Sequence, residues 1–193
     1  MGVEFELKYA ANEETLAKIL ADYPSGETLH MATTYYDTPD GQLSKKRYTL
    51  RLRMENDIAV CTIKTPLGEQ SRGEWEIRSD DIHSAIGQLC ALGAPEDLTT
   101  ITEKGVIPIC GARFVRQAVL LKSDDFTAEL AVDTGVLTGG GKEIPLCEAE
   151  LEYKSGNMDA FLDFSRDFAR KYDLQTEPLS KFRRALNLYL GAQ

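Results

Sequence analysis

Polar and apolar residues alternate from the start of the chain. Glu4, Glu6 and Lys8 interleave with Phe5, Leu7 and Tyr9, and in a β-strand this puts the charges on one face and the apolar side chains on the other. The same period returns in segments 29–38, 48–55, 58–64, 73–78, 114–122, 126–137 and 144–153, which predicts about eight strands. Turn chemistry separates them: Pro39-Asp40-Gly41, Asn56-Asp57, Ser123-Asp124-Asp125 and Gly139-Gly140-Gly141. Four segments switch to helical spacing. Asn12 can cap a helix over 13–21 with Leu16, Ile19 and Leu20 on one face, and a second runs over 83–92. Gly156-Asn157 leads into a third, ending near Tyr172, whose Phe161, Phe164, Phe168 and Tyr172 form an apolar stripe for core packing. The last covers 179–190, with Ser180 as a capping residue.

The charged positions decide the architecture. Arg51 and Arg53 flank Leu52, Lys64 follows Ile63, and Arg72, Glu74, Glu76 and Arg78 enclose Trp75 and Ile77. Glu129 and Asp133 share a face, as do Glu148, Glu150 and Glu152. The opposite faces are apolar and need the helices as cover, so the charged faces converge on something else. The expected fold is α+β: a closed antiparallel eight-stranded β-barrel with a charged, water-filled interior and the helices packed outside. An open sheet with a solvated, salt-bridged face is the alternative. Rows of both signs suit a ligand with closely spaced negative charges together with divalent cations, such as an inorganic polyphosphate or a nucleoside triphosphate.

Composition narrows this reading. The 193 residues suit a single domain over 1–193. With 22 Lys and Arg against 31 Asp and Glu, the net charge of −9 argues against nucleic acid or an anionic membrane as partner, although an acidic total can conceal a cationic pocket. Cys61, Cys90, Cys110 and Cys147 lack metal-ligand or paired spacing. The N-terminus shows no basic segment followed by an apolar run, and no stretch approaches a membrane span, so cytoplasmic residence is expected. His30 and His83 sit in no motif. The basic run Lys45-Lys46-Arg47 reads as a solvated turn or as an attractor at the mouth of the site.

These residues, taken together, resemble the CYTH domain, or triphosphate tunnel metalloenzyme, superfamily. Its E-x-E-x-K signature is Glu4, Glu6 and Lys8. In family order follow Tyr35-Tyr36-Asp37-Thr38-Pro39-Asp40, Arg51-Leu52-Arg53, Thr62-Ile63-Lys64, Gly73-Glu74-Trp75-Glu76, Phe114-Val115-Arg116, Ala131-Val132-Asp133, the run from Cys147 to Glu152, and Leu179-Ser180-Lys181. Within the superfamily the chain is most similar to the bacterial inorganic triphosphatases.

The resemblance implies hydrolysis of inorganic triphosphate to pyrophosphate and phosphate inside a tunnel, with Mg²⁺ or Mn²⁺. A nucleoside or thiamine triphosphatase, an adenylate cyclase, and a non-catalytic polyphosphate-binding module are the other readings. Glu4, Glu6, Glu148 and Glu150 would supply hard oxygen ligands, completed by Asp133 and Glu152. Arg51, Arg53, Lys64, Arg116 and Lys181 would bind phosphate, with Arg113 as rival to Arg116. Lys8 would contact phosphate or hold Glu6, Glu74 or Glu76 would orient the attacking water, and Tyr36 would donate a hydrogen bond from the wall. The expected partner is a small-molecule triphosphate, with no nucleic acid or membrane, and a homodimer is allowed for.

Overall fold

The computed structural model describes residues 2–24, 26–67 and 72–191, with side chains from Phe5 onward. The elements run β1 (Gly2–Glu4), β2 (Glu6–Ala10), α1 (Glu13–Asp22), β3 (Glu27–Asp37), α2 (Gln42–Lys45), β4 (Thr49–Glu55), β5 (Ile58–Pro66) and β6 (Arg72–Arg78). They continue through α3 (Ile82–Ala91), α4 (Asp97–Ile101), β7 (Ile107–Lys122), β8 (Phe126–Gly139), β9 (Lys142–Gly156), α5 (Met158–Lys171), β10 (Gln175–Thr176) and α6 (Lys181–Leu190). Local chemistry sets their ends. Asn12, Asp81, Asn157 and Ser180 each accept backbone N–H bonds at the start of a helix. Asp37 accepts from the N–H groups of Thr38, Leu43 and Ser44 at 2.7, 2.8 and 3.0 Å, so the Pro39-Asp40-Gly41 turn is followed by the short helix α2.

The sheet is antiparallel throughout, in the order β1-β6-β5-β4-β3-β7-β8-β9-β2-β10. The closed eight-stranded barrel is therefore corrected to an open ten-stranded sheet. The reason lies in how the N-terminal segment divides its pairing. Residues 2–4 pair with β6, residues 6–10 pair with β9, and the other edge of β2 is taken by β10, so among the described residues no ladder joins the two ends of the order. Only Phe5 separates the two pairings, which requires the sheet to curl strongly and gives it a concave face.

Side-chain alternation distributes the core. On the convex face, Leu130, Val132, Ala149 and Leu151 of β8 and β9 pack with Leu16 and Ile19 of α1 and Phe161 and Phe168 of α5. Leu50, Ile63 and Trp75 of β4, β5 and β6 pack with Leu43, Ile86, Leu89 and Leu98 from α2, α3 and α4. A third cluster departs from the expected plan of helices packed outside. Phe114, Leu137 and Leu146 share strand faces with Arg116, Asp133 and Glu148, and they pack with Phe182, Ala185 and Leu186 of α6. Helix α6 thus lies against the concave face. It comes close at Gly139, where a Cβ would stand 2.4 Å from the Ala185 carbonyl oxygen.

Candidate functional site

Register places the charges on one concave surface. Arg116 pairs with Asp133, Asp133 with Glu148, Ala131 with Glu150 and Glu129 with Glu152; across the next ladder Lys8 faces Glu150 and Glu6 faces Glu152. On the other side Tyr35 pairs with Arg51, Thr33 with Arg53, and Lys64 with Glu74. Between these walls lies a cavity of about 140 Å³. Its lining includes Glu6, Lys8, Arg51, Arg53, Lys64, Arg116, Glu150, Glu152 and Lys181.

The deep end of this surface is a buried ionic cluster. Asp133 and Glu148 are fully buried and Glu150 nearly so, and oxygens of all three lie within 4.8 Å of one another. Arg116 binds Asp133 through Nε and Nη2 at 2.8 and 2.7 Å and also donates to Glu150. Lys181 reaches Asp133 at 2.7 Å, Glu150 at 2.9 Å and also Glu148, to which Arg184 donates as well. Three carboxylates face three cations, the condition under which charge tolerates burial. Burial opposes the charge on Arg116, yet Glu150 and Asp133 raise its pKa well above the ordinary value. Burial likewise pushes Glu148 up, against Lys181. For Glu150 burial works upward too, but the Lys181 and Arg116 charges hold it well below the usual carboxylate range.

The opposite wall is less well compensated. Arg53 reaches Thr33 Oγ1 and Glu55 at 3.3 Å each, while burial and the neighbouring Arg51 lower its pKa to about 10. Arg51 lies 3.5 Å from Glu74, but its buried Nε has no partner among the described residues. Lys64 pairs with the same Glu74 at 3.3 Å. Cationic donors held this way, with an unused N–H among them, suit an incoming anion.

Some of the sequence candidates lie elsewhere. Glu4 has its backbone in β1, but its side chain is outside the described residues. Tyr36 is on the convex face, packed against the cluster that contains Leu43 and Leu50, and Tyr35 lines the cavity in its place. Glu76 is exposed and outside the cavity lining, since β1 covers only 72–74 of β6. Arg113 is on the convex side, bound to Glu143 at 2.5 Å, so Arg116 alone of the two faces the cavity. Lys46 is tied to Asp97 at 2.5 Å and Lys45 to the Asp40 carbonyl at 2.9 Å. Arg72, Glu129 and Arg184 join the charged surface although they were not among the site candidates. Spacing offered a signal for each: Arg72 and Glu129 share strand faces with Glu74 and Asp133, and Arg184 stands one helical turn after Lys181.

The donor set suits a hard divalent cation by type and by span, because such ions take carboxylate oxygens. Lys181 fills the centre of the deep set, whereas Glu150, Glu152 and Glu6 open to the cavity.

Comparison with known proteins bears on the family and the fold. An inorganic triphosphatase from Haemophilus influenzae is 31% identical over 191 residues, covering 94% of this chain and 53% of the relative. The chain thus spans about half the length of the curated relative it matches. A Hippeastrum adenylyl cyclase candidate described as having a dominant triphosphatase activity superposes with a TM-score of 0.63 at 18% identity, covering 100% of this chain and 97% of the other. An adenylate cyclase candidate from Bacillus halodurans gives 0.62, also at 18%, over 93% and 96%. At such identities the likeness concerns the fold. The sequence pattern of the CYTH domain is matched over residues 2–186, and on that match the chain belongs to the CYTH domain family.

Proposed function

We propose that this chain hydrolyses inorganic triphosphate to pyrophosphate and phosphate with the help of Mg²⁺ or Mn²⁺. The observation that carries the reading is the convergence of Arg51, Arg53, Lys64, Arg116 and Lys181 on one cavity that also holds Glu6, Glu150 and Glu152. The Haemophilus relative, named an inorganic triphosphatase, supports it.

The residues divide the work. Arg51 and Arg53 would grip phosphate oxygens through paired N–H groups, and Lys64 and Lys8 would add mobile point charges, holding the substrate in line. Glu74, between Arg51 and Lys64 at 3.5 and 3.3 Å, aims both cations. Holding two substrate-binding cations in place, Glu74 is a positioning residue. Glu150, with Glu152 and Glu6 on the cavity side and Asp133 and Glu148 on the deep side, would hold the metal, which would supply polarisation of phosphoryl oxygens and a more acidic bound water. The cavity favours an inorganic chain over a nucleotide: Tyr35 and Phe182, the aromatic residues of its described lining, are buried and packed on one another with ring centroids 5.0 Å apart.

Phosphorus NMR of tripolyphosphate incubated with the chain tests this. With Mg²⁺, equal amounts of pyrophosphate and phosphate should appear, and EDTA should stop the reaction. An unchanged tripolyphosphate spectrum with Mg²⁺ and with Mn²⁺ would overturn the proposal.

A further inference from the structure

Lys181 occupies the place that a metal in the deep carboxylate set would need. Its ammonium bonds to Asp133, Glu148 and Glu150 together, and it is 8% exposed. It also stands 5.2 Å from the centroid of the Phe114 ring. This constrains what can enter. Asp133, Glu148 and Glu150 already meet Lys181, Arg116 and Arg184, so a dication added to the intact cluster would have to share the same oxygens with the ammonium. Such an ion and the ammonium exclude each other.

Of the three resident cations, Lys181 is the one built to move. Arg116 is fixed by two parallel bonds to Asp133 at 2.8 and 2.7 Å. Arg184 is held between Glu148 and Glu177, the latter at 3.7 Å. Lysine carries a point charge on a flexible four-carbon stem and gives up its contacts without breaking a planar fork. The cavity lies beside it: Ser180, Lys181 and Phe182 are all in the lining.

We propose that Lys181 is the resident counter-cation of the Asp133–Glu148–Glu150 cluster and gives up its place to a divalent cation, its ammonium then turning into the cavity to meet a phosphate group. This rests on the reading of the site as a metal-assisted triphosphatase. It makes polyanion binding conditional on metal: before the exchange the carboxylates hold the ammonium, and afterwards the same walls carry two more positive charges. The metal therefore binds first.

Mn²⁺ binding to the full chain without triphosphate, followed by electron paramagnetic resonance, tests the exchange. Lys181→Met removes the competitor, so the variant should bind Mn²⁺ at least about tenfold more tightly than the unaltered chain. Equal or weaker binding by a folded variant overturns the proposal. Because the substitution leaves three buried carboxylates with two cations, a second measurement uses the unaltered chain: amine labelling of Lys181 read by mass spectrometry. Saturating Mg²⁺ should raise its labelling several-fold, and unchanged or reduced labelling overturns the exchange. The two readings fail separately. Tripolyphosphate hydrolysis with unresponsive Lys181 labelling refutes only the exchange, and metal-driven exposure of Lys181 without hydrolysis refutes only the triphosphatase reading.

Discussion

Arg116 and Asp133 are directly paired residues of β7 and β8, and the guanidinium clasps the carboxylate through two bonds at 2.8 and 2.7 Å. Asp133 is fully buried, so its charge depends on that clasp and on Lys181. Arg116→Ala should destabilise the fold by about 3–5 kcal/mol, the scale for removing one partner of a buried ion pair. Arg116→Lys should recover only part of this, since it restores the charge without the fork. Urea denaturation of the three proteins measures both; a loss below 1 kcal/mol for the alanine variant would show the pair to be dispensable.

Arg53 predicts the opposite balance. Its pKa is lowered to about 10 by burial and by Arg51, so the charge is unfavourable until an anion arrives. Arg53→Ala should leave the melting temperature unchanged or slightly higher, while tripolyphosphate binding weakens by about tenfold or more. Calorimetric titration alongside thermal melting checks it. A variant that melts well below the parent with unaltered affinity makes Arg53 a structural residue.

Tyr36 and Tyr35 separate what the motif suggested from what the fold places. Tyr36→Phe should leave tripolyphosphate turnover within about twofold of the parent, because its side chain packs on the convex face. A loss of tenfold or more in kcat would return Tyr36 to the site.

Glu150 sets a pH dependence of stability. Although burial acts upward, Lys181 and Arg116 hold its folded-state pKa well below the ordinary value. A depressed carboxylate contributes stability that is complete above its unfolded pKa, about 4.3, and is lost as pH falls toward the folded value. The raised Glu148 acts with the opposite sign above that point, and Glu150 contributes to its rise, so the prediction is stated for the difference between the parent and Glu150→Gln. That difference in unfolding free energy should be largest at pH 7 and shrink below pH 4 or so. A difference that is flat or grows with acid contradicts the assignment.

Much of this was legible because strand alternation has only two outcomes. Once Glu148, Glu150 and Glu152 occupy one face, Leu151 must occupy the other, and the structure places them so. Closure of the sheet was not legible: alternation reports faces, whereas pairing depends on edges, and nothing in residues 2–10 announces that they divide between β6 and β9 at Phe5. Helices α2 and α4, of four and five residues, are too short to show a period. The inner position of α6 left a trace in strand faces that change from charged to apolar, Asp133 to Leu137 and Glu148 to Leu146, where Phe182 and Leu186 now pack. Tyr36 was misplaced because adjacent residues of a strand face opposite ways, and a shared motif does not say which of two tyrosines points inward.

The most direct test of the central claim is the catalytic efficiency for tripolyphosphate against ATP, from phosphate release at matched free Mg²⁺. Both present three phosphates to the same cations, but ATP must also place a sugar and a base in a cavity of about 140 Å³. The account predicts a kcat/KM for tripolyphosphate that exceeds that for ATP by about tenfold or more. An efficiency for ATP equal to or above that for tripolyphosphate, or the formation of cyclic AMP, would contradict it.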